Sequence, residues 1–152
     1  MHDDVQRRVA LDILSVPPLV FRMVRRRLIS MTLADTNLDI KLLHFEIMRV
    51  LKDEGTLHPA KIGEKLLIAK AQMTHLIDKL VELEFVKREM CSDDRRTINI
   101  TLTDKGREVL EEQDNLVINA MQENMSSLTD AELEDLSGSL RKLRDILFKL
   151  EQ

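Results

Sequence analysis

The strongest constraint on this chain is a change of period. Through most of its length apolar residues recur three and four apart, but Ile98, Ile100 and Leu102 alternate strictly with Thr97, Asn99 and Thr101. A strand with one apolar and one polar face needs a pairing partner and a body to lie against. The run from Val86 to Cys91 is the available partner, and Ser92-Asp93-Asp94-Arg95-Arg96 between them is polar and turn-like. The expected class is therefore mainly α (α+β), with a single two-stranded hairpin set among helices.

The helices around that hairpin can be read in order. A short one is expected over residues 5–14. Ser15-Val16-Pro17-Pro18 then breaks and restarts the chain, since prolines lack backbone donors and are tolerated only in a first turn, with Ser15 as the cap. Leu19, Val20, Met23, Val24 and Leu28 continue the helical spacing. Thr36-Asn37-Leu38-Asp39 starts another helix, whose stripe is Ile40, Leu43, Ile47, Val50 and Leu51 and which Gly55 ends. Pro59 opens a short helix to about Leu66. The connection Leu67-Ile68-Ala69 leads to a longer helix over 70–84, apolar at Met73, Leu76, Ile77, Leu80 and Leu83.

Beyond the hairpin, Thr103 is placed to cap a helix over roughly 104–125, and Thr129-Asp130-Ala131-Glu132 forms a capping box. In the last helix Leu133, Leu136, Leu140, Leu143, Leu147 and Leu150 are spaced 3, 4, 3, 4 and 3. That alternation makes a narrow seam for another helix, and it is short enough to be an interface helix rather than a free coiled coil. The expected organisation is N-terminal helices over 1–33 and C-terminal helices over 107–152, both available for dimerisation, around a central unit over 34–106 that holds the hairpin.

Charge decides less than its total implies. The net charge is −4, yet residues 107–152 hold eleven acidic against five basic residues, while 56–106 hold nine basic against eight acidic. A duplex responds to the charge it touches, so the balance permits DNA binding without arguing for it. With no Trp or Tyr and four Phe, the core must come from Leu, Ile, Val and Met, and the eight Met read as core filler. No leader-like start and no run of about twenty apolar residues is visible, so a cytoplasmic protein is expected. His2, His44, His58 and His75 are too scattered to hold a metal, and no nucleophile–base pair, carboxylate pair or phosphate loop points to an enzyme. No metal and no cofactor is expected. Cys91 is read as a plain strand residue, because Asp93 and Asp94 oppose the basic neighbours that would favour a thiolate.

The order helix, short helix, three-residue turn, long helix, hairpin is that of a winged helix-turn-helix. In such a unit the second helix of the pair enters the major groove and the hairpin reaches the neighbouring groove. The outward residues of helix 70–84 would be Lys70, Gln72, Thr74, His75 and Lys79, types that bond bases or phosphates. A solvated surface helix carries similar residues, so this face alone is weak evidence.

The wing adds a stronger signal. Asp94-Arg95-Arg96, five further residues and then Leu102-Thr103-x-x-Gly106 resemble the MarR-family signature Asp-x-Arg followed by Leu-Thr-x-x-Gly. Thr74-His75-Leu76-Ile77-Asp78-Lys79-Leu80 is similar to that family's recognition-helix core Thr-Arg-Leu-Ile-Asp-x-Leu, and Val86-Lys87-Arg88 to the segment entering the wing. The resemblance implies that Arg96 enters the minor groove, that Asp94 holds it, and that Arg95 touches phosphate, with Arg88 also in the DNA-binding set. It further implies a homodimer joined through Val20, Val24, Val117, Met121 and the seam from Leu133 to Leu150. It also implies a palindromic operator, and repression released by a small-molecule effector lodged between the dimer helices and the winged unit. His75 stands where the family usually has Arg, and Glu84 where it usually has Gly. The competing reading is a winged helix that binds a protein partner and not DNA, to which His75 and the acidic C-terminal region lend slight support.

Overall fold

The computed structural model describes residues 1–23, 42–90 and 97–151. Val24, Leu28, the start signal at Thr36–Asp39, Ile40, Cys91 and the wing-tip residues Asp94, Arg95 and Arg96 lie outside the described residues. Helix α1 runs His2–Ser15, and residues 17–23 are again helical. There follow α2 (Leu42–Glu54), α3 (Pro59–Leu66), α4 (Lys70–Glu82), strands β1 (Val86–Met90) and β2 (Ile98–Leu102), α5 (Asp104–Asn124), a 3-10 turn at Met125–Ser127, and α6 (Asp130–Leu150). The mainly helical class with one antiparallel hairpin is therefore the observed one.

The chain divides into two compact units, Met1–Val117 and Ile118–Gln152. In the first, the helical stripes and the strand alternation converge on one core. Ile47, Met48 and Leu51 of α2 meet Ile62 of α3, then Met73, Leu76, Ile77 and Leu80 of α4, with Phe85, Val86, Ile100 and Leu110 closing it. Met48 and Met73 do serve as core filler. In the second unit Thr129 accepts from the Glu132 amide while the Glu132 carboxylate accepts from the Thr129 amide, the expected capping box.

The hairpin pairs Val86 with Leu102, Arg88 with Ile100 and Met90 with Ile98. Leu57, just before α3, exchanges two backbone hydrogen bonds with Ile100, at 3.1 and 2.8 Å, so the wing is sewn to the helix pair through a third short segment. Four expectations need correction here. Ile98 shares the face of buried Ile100 but is 42% exposed, because the strand runs outward past the helices that cover its inner half. Ser15 is not a cap for the following helix. It is the last residue of α1, and its hydroxyl donates to the Asp12 carbonyl at 2.9 Å. The helix over 5–14 also starts earlier, at His2, and helix 70–84 ends at Glu82.

A candidate nucleic-acid interface

The helix pair is built around the approach of α3 to α4. The α3 N-terminus is capped by His58, whose Nδ1 accepts from the Ala60 amide at 3.1 Å, with Pro59 at the first helical position where its missing donor costs nothing. The turn bends at Leu67, in the left-handed region (φ 56°), and the Ile68 amide donates to the Gly63 carbonyl at 2.8 Å. A Cβ on Gly63 would stand 3.0 Å from the Ile68 carbonyl oxygen and 3.1 Å from Met73 Cγ, so the two helices approach this closely only over glycine.

This packing sets the rotation of α4. Met73, Leu76, Ile77 and Leu80 face the core, which leaves Lys70, Gln72, Thr74 and His75 exposed on the outside and Lys79 half-buried. The Thr74 hydroxyl donates to the Lys70 carbonyl at 3.1 Å, so toward a ligand it offers acceptor lone pairs rather than a proton. Lys79 reaches Glu82 at 3.8 Å. Arg88, on β1, is engaged by the carboxylate of Asp78 on α4. Lys61 and Lys70 make no ion pair among the described residues.

A cleft of about 700 Å³ separates α3 and α4 from the hairpin, with Pro59, Lys70, Thr74, Arg88 and Ile98 among its walls. Five of the nine residues expected to contact DNA, Lys70, Gln72, Thr74, His75 and Lys79, thus share one helix, and Arg88 stands across the cleft from it. Sequence reasoning missed Lys61, whose exposed cation lies on α3. It also missed Asp78 as the partner of Arg88, although Asp78 sits inside the quoted recognition-helix motif.

The junction from α4 through the wing to α5 is held by Thr103. Its hydroxyl donates to the Glu84 carbonyl at 2.6 Å and accepts from the Gly106 amide at 3.0 Å, while its own amide donates to the Phe85 carbonyl at 3.0 Å. Thr103 is the expected cap of the helix over 104–125, and the Leu-Thr-x-x-Gly pattern here has a geometric cause. Glu84 occupies the left-handed region (φ 63°), the conformation that makes glycine the easier choice there. Lys105 lies 3.6 Å from the Glu84 carboxylate and 5.7 Å from the Phe85 ring centroid.

The residues expected at a dimer interface lie on helices with little of their own chain over them. Neither α1 nor α6 buries a single residue. Leu136, Leu140, Leu143, Leu147 and Leu150 are 39–71% exposed and Val20 is 43% exposed, while Val117, Met121 and Leu133 are half-buried. Among the described residues no helix is long and apolar enough to cross a membrane, and no cluster of His, Cys, Asp and Glu has the makings of a metal site.

Comparison with known proteins agrees with this geometry. The family model described as MarR family matches residues 40–98. YpoP, an uncharacterized HTH-type transcriptional regulator of Bacillus subtilis (strain 168), is 30% identical over 99 residues, covering 65% of this chain and 70% of that protein. A MarR family protein from Bacillus stearothermophilus shares the fold with a TM-score of 0.74 at 22% identity, over 93% of this chain and 97% of that one. Bordetella bronchiseptica BpsR, whose DNA binding is regulated by 6-hydroxynicotinic acid, gives a TM-score of 0.57 at 23% identity, over 86% of this chain and 94% of its own.

Proposed function

The chain belongs to the MarR family of DNA-binding transcriptional regulators, and from that premise we propose that it acts as a homodimeric repressor of a palindromic operator. The observation that carries this reading is the division of α4 into a core face and an exposed face of Lys70, Gln72, Thr74 and His75. Such a helix in the major groove reads bases with Gln72 and His75 and grips phosphate with Lys70. In this proposal Arg96, with Asp94 and Arg95, supplies the minor-groove contact and Lys79 adds to the basic surface, while Arg88 stands beside it engaged by Asp78.

One winged unit grips one half-site weakly. The seam of Leu133, Leu136, Leu140, Leu143, Leu147 and Leu150 is an apolar stripe of α6 that a second copy would cover, and in this proposal Val20, Val24, Val117 and Met121 join the same dimer contact. That supports residues 1–33 and 107–152 as dimerisation segments flanking a DNA-binding unit at 34–106. A symmetric pair spaces two recognition helices by about one turn of duplex, hence the palindrome.

Release by a small-molecule effector is part of the proposal, supported by the ligand-regulated BpsR. The regulator proposed is cytoplasmic and acts by binding and not by catalysis. The test is a mobility-shift titration of wild type and Arg96→Ala on upstream duplexes at two salt concentrations. Salt-sensitive binding to one upstream palindrome, lost in the variant, supports the reading. Absence of duplex binding even at low salt contradicts it and favours the protein-partner alternative.

A further inference from the structure

Several of the winged unit's described cations are paired with carboxylates. Lys65 pairs with Glu54 at 2.7 Å, Lys79 with Glu82 at 3.8 Å, Lys87 with Glu89 at 3.0 Å and Lys105 with Glu84 at 3.6 Å. Lys79–Glu82 and Lys87–Glu89 join neighbours on one element. The pair of Arg88 with Asp78 differs, because it links the exposed face of α4 to the hairpin.

Three placements give that pair a consequence. Asp78 lies one helical turn beyond Thr74 on the same side of α4. Arg88 pairs with Ile100 in the hairpin register and lines the cleft together with Lys70 and Thr74, so its guanidinium is on the α4 side of the wing. Both side chains remain substantially exposed, at 41% for Arg88 and 56% for Asp78, so a phosphate can reach either. A guanidinium binds carboxylate and phosphate through the same planar fork of donors. One nitrogen of that fork, Nη2, already donates to an Asp78 carboxylate oxygen, so a DNA phosphate has to compete with the carboxylate for Arg88.

Resting on the DNA-binding reading above, we propose that Asp78 is a positioning residue that masks Arg88 from the DNA backbone and thereby sets the protein's sequence-independent affinity. A phosphate must displace Asp78 to reach Arg88, and the carboxylate also repels the duplex. Arg88 then contributes little to counterion release, although it stands at the DNA-facing surface.

The test measures anisotropy of a labelled random-sequence duplex with full-length wild type, Asp78→Asn, Arg88→Gln and the double variant, between about 50 and 200 mM salt. Asp78→Asn should bind about two- to fivefold tighter, the range an exposed ion pair can hold back. Its plot of log affinity against log salt should steepen by about one, as for one added phosphate contact. Arg88→Gln should keep the wild-type slope, and the double variant should lose the steepening. If Arg88→Gln lowers the slope by about one, Arg88 already holds a phosphate in wild type and the masking is overturned. If Asp78→Asn binds no tighter at an unchanged slope, the pair merely braces the hairpin. Thermal melting of each variant separates these results from unfolding, and the Arg88→Gln result stands even if Asp78→Asn does not fold. Failure of wild type to bind any duplex is a different outcome, which refutes the DNA-binding reading and this inference with it.

Discussion

Gly106 and Phe85 are so close that a Cβ on the glycine would stand 2.1 Å from the Phe85 carbonyl oxygen and 2.8 Å from Leu102 Cδ1. That carbonyl cannot retreat, because it already accepts the Thr103 amide at 3.0 Å. Gly106→Ala should therefore destabilise the winged unit by about 3 kcal/mol, at the upper end of overpacking costs. Urea unfolding measures it, and a loss below about 1 kcal/mol would show that α5 moves aside more easily than this packing implies.

Glu84 makes the opposite prediction. Its left-handed φ of 63° is costly for a side chain with a Cβ and cheap for glycine. Glu84→Gly should raise stability by about 0.5–1 kcal/mol after the greater chain entropy of glycine is subtracted. The weak contact of Glu84 with Lys105 at 3.6 Å, between well-exposed groups, subtracts little from that. The melting temperature should rise by about 1–4 °C in a domain of this size. A fall would mean that the carboxylate has a role beyond this ion pair.

Arg49 on α2 and Asp114 on α5 form a two-point ion pair, with donor–acceptor distances of 3.1 and 2.5 Å. The hydrogen bonds to Asp114, and the nearby charges of Asp114, Asp53 and Glu46, hold the Arg49 guanidinium above its ordinary range against partial burial. Asp114→Ala and Arg49→Ala should each cost about 1 kcal/mol, the upper end for a partly exposed pair. The double variant should cost no more than either alone. Additive losses would show that the two side chains act independently.

How far these features were legible depends on their range. The helix pair, the hairpin, the caps at Thr103 and Thr129 and the core stripe of α4 are local patterns, and periodicity exposed them. Gly106 could be picked out by its motif, but its contact with Phe85 needed the fold to explain it. Arg49 and Asp114 are 65 residues apart and share no pattern, so nothing in the chain announced their pairing. Ile98 misled because alternation records which face a residue takes and not how far the covering helices extend. Asp78 was read as part of a motif, and its hold on Arg88 emerged only when the wing was laid beside α4.

The proposed dimer makes its own prediction. Leu143 sits in the middle of the α6 seam and is 40% exposed within a single chain. A charge there would be buried against the partner's seam, so Leu143→Asp should yield monomers by sedimentation. Losing the linked second half-site should weaken operator binding by about a hundredfold or more. A variant that stays dimeric would move the interface elsewhere.

The most direct test of the account is to compare Gln72→Ala and Lys70→Ala with wild type on the upstream palindrome and on its scrambled sequence, across salt. Gln72→Ala should lose about 1–3 kcal/mol of discrimination between the two duplexes while keeping the wild-type salt slope. Lys70→Ala should weaken both duplexes alike and lower the slope by about one. If neither substitution alters affinity, discrimination or slope, α4 does not read the operator and the account is contradicted.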